Sequence, residues 1–295
     1  MLTLVAPPNA GAFSVNLREV FASAGARGKA SQKLDAGDGA ATDVIVEADD
    51  LASLRAALQA PMADQQLDWC LQPLKGRRKR LLVADMDSTI INVECLDELA
   101  DFAGLKAEIS AITEQAMRGE LAFEGALRAR VAMLKGLSLS ALQSTYDQRV
   151  RLNPGARTLV RTMAANGSRC ILVSGGFGFF TQRVATAAGF HAERANSLGE
   201  MGGTLTGEVG EPILGREAKL AALIAEAQAL GVSLEDAVAI GDGANDLAMI
   251  EAAGLGVAYR AKPLVAARAD ARIDHADLTT LLYFQGYGQT DFVTD

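Results

Sequence analysis

Leu81-Leu82-Val83-Ala84-Asp85-Met86-Asp87-Ser88-Thr89 decides the fold: four apolar residues run straight into two aspartates spaced i, i+2. A short apolar run without alternation is the pattern of a strand buried on both faces, and the abrupt change to acidic and hydroxyl residues marks its carboxyl end. Three further runs share this form: 170–173 before Ser174-Gly175-Gly176, 237–240 before Gly241-Asp242-Gly243, and 255–258. Amphipathic stretches at 179–188 and 217–230 lie between them. Strands alternating with helices predict an α/β fold with a parallel, Rossmann-like sheet covered on both faces, and ligands in such sheets sit at the carboxyl ends.

Between the first strand tip and Pro154, residues 93–149 carry helical patterns around 95–102 and 123–134 and no convincing strand. A helical cap over about 93–150 is expected, standing above the carboxyl edge as a lid. Gly199, Gly202, Gly203 and Gly207 predict a β-hairpin within 195–210. The basic run Lys75, Arg77, Arg78, Lys79, Arg80 reads as a solvated linker, which divides the chain into units 1–75 and 76–295. The first unit reads βαββαβ, with strands at 2–6, 30–34, 44–48 and 68–71 and helices at 13–24 and 51–58. Asp50 is the expected N-cap of the second helix, and Gly37-Asp38-Gly39 the turn of a hairpin. This order is ferredoxin-like and resembles the ligand-sensing ACT modules in topology; a structural appendage, or one through which a homodimer forms, is the competing reading.

Bulk properties exclude several function classes. Composition is 49% hydrophobic and 22% charged, as in a compact globular protein, and no run of about 18 apolar residues or signal-peptide pattern occurs, so a cytoplasmic protein with no membrane partner is expected. A net charge of −8 argues against a nucleic-acid partner. Cys70, Cys95 and Cys170 are widely spaced and read as reduced thiols, and two histidines, His191 and His275, are too few for a multi-histidine metal site. Carboxylates must carry the acid–base chemistry.

Asp85 and Asp87, two residues apart past a strand tip, can point into one pocket, where only a cation would keep both charged. Asp242 stands at another strand tip, so three aspartates converge and their oxygen donors suit magnesium. Taken singly, these motifs also fit a helix cap or an acidic turn. Ser174-Gly175-Gly176 opening into a helix offers a hydroxyl and backbone N–H groups to a phosphate, or is only a turn. Lys219, in the first turns of a crossover helix, can reach the same edge and balance phosphoryl charge, or is a solvated surface lysine.

Taken together, Asp85–Thr89 (DMDST), VSGG at 173–176, Lys219 and GDGAND at 241–246 resemble, in order, the motifs of the haloacid dehalogenase-like phosphatases. More narrowly, DMDSTIINVECLDELA, FEGALRARVAMLKGL and GDGANDLAMI resemble the phosphoserine phosphatase branch of that family over roughly 78–290. The resemblance implies that Asp85 attacks phosphorus to form an aspartyl-phosphate and that Asp87 protonates the leaving oxygen and later deprotonates water. It implies magnesium held by the Asp85 and Asp242 carboxylates and the Asp87 carbonyl. Ser174, Gly175, Lys219 and Asn245 would hold phosphoryl oxygens, and Asp246 would support Lys219 or the metal's waters. Glu94 is implied for the ammonium and Arg130 for the carboxylate of a phosphorylated amino acid, O-phosphoserine, with Phe123 and Met117 as apolar lining. The competing functions are a phosphotransferase or phosphatase for another small metabolite, and an amino-acid sensor with a vestigial phosphatase core.

Overall fold

The computed structural model describes residues 1–7, 15–35, 41–118 and 120–294. The expected turn at Gly37-Asp38-Gly39, the start of the first helix at Phe13 and the side chain of Met117 lie outside the described residues.

The N-terminal unit contains β1 (Leu2–Val5), α1 (Leu17–Ser23), β2 (Arg27–Lys33), β3 (Ala41–Glu47), α2 (Leu51–Ala63) and β4 (Asp68–Leu71). Its antiparallel sheet has the order β2-β3-β1-β4, the ferredoxin-like arrangement expected from the sequence. Asp50 caps α2 by accepting from the N–H groups of Ala52 and Ser53, each at 3.0 Å. Leu54, Leu58 and Met62 recur at helical spacing and pack with Leu2, Leu4, Val20 and Phe21 into a core separate from the main one.

The larger unit begins with β5 (Leu81–Ala84) and the cap helices α3 (Cys95–Asp101), α4 (Lys106–Met117), α5 (Phe123–Met133) and α6 (Ser140–Arg149). The chain returns through α7 (Ala156–Ala165), β6 (Arg169–Phe177), α8 (Gly178–Ala188) and β7 (Ala192–Asn196). The hairpin β8 (Leu198–Met201) and β9 (Thr204–Val209) follows, then α9 (Arg216–Leu230), β10 (Ala237–Gly241), α10 (Leu247–Ala252) and β11 (Leu255–Tyr259). Short elements α11 (Pro263–Ala266), β12 (Ala271–Ile273) and α12 (Thr280–Phe284) close the fold. The six-stranded sheet has the order β12-β11-β10-β5-β6-β7 with every pair parallel. The chain winds outward from β5 in both directions, so β5 and its neighbours border the switch point where such sheets bind ligands. Both faces of β5 are covered, and all four of its residues are fully buried.

The basic run is not the solvated linker expected. Lys75, Arg78 and Arg80 are exposed, but Lys79 is buried and donates to the Glu235 carbonyl at 2.7 Å. Arg77 forms a two-bonded pair with buried Asp43 and also donates to the Thr3 hydroxyl (3.1 Å) and the Tyr283 carbonyl (3.0 Å). A buried carboxylate on β3 demands a cation, and that demand pulls Arg77 into the seam between the two sheets. Asp68 at the start of β4 adds three bonds, accepting from the backbone N–H groups of Asp274 (2.8 Å), His275 (3.1 Å) and Ala276 (2.8 Å). Arg77→Ala would leave the buried Asp43 carboxylate with the Thr3 hydroxyl (2.6 Å) but no cation, at a cost of about 3 kcal/mol. Urea titration is expected to show an earlier midpoint for this variant, and an unchanged midpoint would show that the seam contributes nothing to stability.

Candidate active site

Strand register sets the geometry. Ala84 is level with Ile240 on one side and Leu172 on the other, so Asp85, Gly241 and Val173 stand in one row, with Asp242 and Ser174 one residue beyond. The Asp85 N–H donates to the Ile240 carbonyl at 3.0 Å, extending the ladder to the reactive residue itself. Past Asp85 the chain winds through a wide turn over Met86–Ile90, closed by the Ile91 N–H on the Met86 carbonyl (3.0 Å). Ser88 takes a left-handed conformation there (φ 55°), a strained state for a residue with a Cβ, and its hydroxyl donates to Glu94 Oε1 at 2.6 Å. The Asp87 carboxylate accepts from the Cys95 N–H (3.0 Å) and lies 3.4 Å from the Ser174 hydroxyl.

Lys219 is 1% exposed, not the surface lysine its helix position also allowed. Its ammonium donates to Asp85 Oδ1 and to Asp246 Oδ1, the latter at 2.5 Å. The other oxygen of Asp246 accepts from the N–H groups of Asp242 (3.2 Å) and Gly243 (3.1 Å), which ties the β10 tip to the lysine. Gly241 is required for this arrangement, because a Cβ there would lie 2.5 Å from the Asp246 carboxylate carbon. Thr89 donates to Asp242 Oδ1 at 3.2 Å.

Carboxylate oxygens of Asp85, Asp242 and Asp246 lie within 4.8 Å of one another, all three residues buried. One ammonium, Lys219, faces these three carboxylates. Burial, reinforced by Asp246, pushes Asp85 up to about 7; burial and the Asp85 charge push Asp87 up to about 6. Burial, with Glu94 and Asp85 nearby, raises Asp242 well above the carboxylate range. Burial alone would lower Lys219, but Asp246 and Asp85 outweigh it and hold the ammonium charged. So much negative charge out of water, with only oxygen donors, fits a small hard cation.

Above this floor is a cavity of about 300 Å³, lined by Asp85, Asp87, Ser174, Gly175, Asp242 and Asn245 from the core and by Glu94, Thr113, Phe123 and Arg130 from the cap. The cap rests directly on the core, since a Cβ at Gly175 would meet the Phe123 ring at 2.5 Å. Burial, then the Asp87 charge, pushes Glu94 up to about 8, while burial lowers Arg130. Every site residue named from the sequence other than Met117, whose side chain lies outside the described residues, therefore lines this cavity or, like Lys219 and Asp246, forms its floor. Not anticipated was Thr113, a helix residue with no motif around it, which lines the cavity beside Arg130.

The described residues contain no helix long and apolar enough to cross a membrane, and the three cysteines are buried and unbridged. In comparisons with known proteins, the chain is 48% identical over 208 residues to a phosphoserine phosphatase of Polaromonas, covering 69% of this chain and 88% of that one. A solved structure of a HAD family hydrolase from Salmonella enterica serovar Typhi superimposes with a TM-score of 0.84 at 29% identity, covering 97% of each chain. A phospho-aspartyl intermediate analogue of phosphoserine phosphatase gives a TM-score of 0.67 at 38% identity, over 70% of this chain and 99% of that one. The family model for haloacid dehalogenase-like hydrolases matches residues 82–251, from inside β5 through most of α10, and the chain belongs to that family.

Proposed function

We propose that the chain hydrolyses O-phosphoserine to serine and phosphate in two displacements at Asp85. In the first, an Asp85 carboxylate oxygen attacks phosphorus, the bond from phosphorus to the serine oxygen breaks, and Asp87 gives its proton to that oxygen. In the second, water attacks phosphorus, Asp87 takes the water's proton, and the bond to Asp85 breaks to release phosphate. Lys219 holds Oδ1 of Asp85, which leaves the second oxygen for the attack, and its charge offsets that of the phosphoryl group. Ser174, Gly175 and Asn245 line the cavity where phosphoryl oxygens would sit. The carboxylates of Asp85 and Asp242 with the Asp87 carbonyl would hold a magnesium ion, which when bound supplies Lewis-acid charge to the phosphoryl oxygens. Glu94 and Arg130 would read the ammonium and carboxylate of the amino acid, an arginine being suited to grip a carboxylate at two points.

The observation that carries the reading is a single cavity with an Asp85–Lys219–Asp246 cluster as its floor and one acid and one base, Glu94 and Arg130, in its cap wall. A phosphate monoester of a zwitterion matches that distribution of charge. The test is phosphate release from O-phosphoserine, phosphothreonine, glycerol phosphate and an aryl phosphate, each with magnesium and with a chelator. O-phosphoserine is expected to be the preferred substrate and the chelator to stop release until magnesium is restored. Preference for an ester without the amino-acid charges would reject the substrate, and undiminished release in chelator would reject the metal.

A further inference from the structure

Arg130 is held from behind. Its Nη1 donates to the Thr113 hydroxyl at 2.8 Å and its Nε to the Ala126 carbonyl at 3.2 Å. Thr113 Oγ1 in turn lies 2.6 Å from Asp97 Oδ1 and 3.1 Å from the Ile109 carbonyl. A hydroxyl has one proton, and the shorter contact, to the charged acceptor, takes it. The bonds therefore run in one direction, from the Arg130 N–H to the Thr113 oxygen and from the Thr113 O–H to Asp97. The three residues come from α5, α4 and α3, and all are buried, at 7%, 3% and 8% exposure.

The spacing of this chain has a consequence for binding. A direct pair between Asp97 and Arg130 would occupy the guanidinium fork; the intervening hydroxyl uses a single N–H. Among the described residues, two of the five guanidinium N–H groups are engaged, by Thr113 and Ala126, and the protons of Nη2 with the second of Nη1 remain for an anion in the cavity that Arg130 and Thr113 both line. Fixing a side chain as rotamer-rich as arginine before the ligand arrives removes an ordering cost from binding. We propose that Thr113 and Asp97 are positioning residues for substrate selection: Asp97 polarises the Thr113 hydroxyl, which pins one edge of Arg130 and presents the other to the carboxylate of the phosphorylated amino acid. This rests on the reading of Arg130 as the carboxylate's partner.

The experiment compares the full-length protein with Thr113→Val, Thr113→Ser, Asp97→Asn and Arg130→Ala on O-phosphoserine and on phosphoethanolamine, which keeps the ammonium and lacks the carboxylate. Thr113→Val is expected to raise KM for O-phosphoserine roughly tenfold, with kcat changed much less and phosphoethanolamine turnover nearly unaffected. Thr113→Ser is expected to restore the lower KM, Asp97→Asn to shift it in the same direction as Thr113→Val, and Thr113→Val to add nothing once Arg130 is alanine. Equal losses on both substrates would mean that the chain only stitches three helices together, and the proposal fails. It fails alone if Arg130→Ala impairs O-phosphoserine while Thr113→Val and Asp97→Asn do not. If Arg130→Ala itself spares O-phosphoserine, the reading of Arg130 has failed and the proposal with it. Asp97→Asn carries the same comparison should Thr113→Val not fold.

Discussion

Asp85→Asn is expected to lower the turnover of O-phosphoserine by about four orders of magnitude or more, the scale of losing a covalent nucleophile. The substitution is nearly isosteric, so the cavity keeps its shape and Lys219 keeps Asp246 as a partner. What changes is the attacking atom: a neutral amide oxygen is a far weaker nucleophile than an anionic carboxylate oxygen and does not displace an alkoxide from phosphorus. The variant should fold at least as well as the parent, because the floor carries a surplus of buried negative charge and loses one of its members. A thermal melt separates inactivity from unfolding. Rapid quenching of the parent with radiolabelled substrate is expected to trap phosphate on the chain, and the same quench of the variant to trap none. Turnover within tenfold of the parent would remove Asp85 from the role of nucleophile and leave the two-step scheme without its first step.

That prediction was accessible from sequence because the relevant information is local. Asp85, Asp87, Asp242 and Ser174 each follow an apolar run within three residues, and parallel pairing brings the ends of such runs together without any knowledge of side-chain packing. The central strands were legible for the same reason: burial on both faces leaves an uninterrupted apolar signature. The edges were not. β7 reads Ala-Glu-Arg-Ala-Asn, and β12 has three residues with Arg272 outward, the polar composition that protects sheet margins and that carries no strand signal. α2 runs on to Ala63 through Pro61, where a reading by local rules ends it at residue 58.

Charges inside the protein were the harder part. The basic residues of the run at 75–80 look alike, yet Arg77 enters the seam because Asp43 waits there and Lys79 is buried against the Glu235 carbonyl, partners 34 and 156 residues away. Thr113 illustrates the same limit within the site. Nothing in its neighbours on α4 distinguishes it; its role comes from Asp97 on α3 and Arg130 on α5, and only packing of the cap brings the three together. Local pattern thus located the chemistry at the strand tips, while selection by the cap depends on helix packing that pattern does not encode.

Arg130→Ala is the second large effect, and it separates selection from chemistry. A guanidinium gripping a carboxylate in a buried site contributes about 3 to 4 kcal/mol, so kcat/KM for O-phosphoserine is expected to fall by between about a hundred- and a thousandfold. The loss should appear mainly in KM, since the carboxylate is remote from phosphorus and is gripped alike before and during the reaction. An aryl phosphate, which offers no carboxylate, should be hydrolysed about as before, because Asp85, Asp87 and Lys219 belong to the core and not to the cap. Removal of the guanidinium also takes from Glu94 a cation that favours its charged form, so the ammonium end of the substrate should be held somewhat less tightly and the measured loss is an upper bound on the carboxylate contact. If both substrates lose activity in equal proportion, Arg130 serves the cap's fold and the cavity has no carboxylate reader at that position. A split of a hundredfold or more between them would leave the distribution of charge in the cap as the source of substrate choice, since the phosphoryl chemistry below it is indifferent to the leaving group.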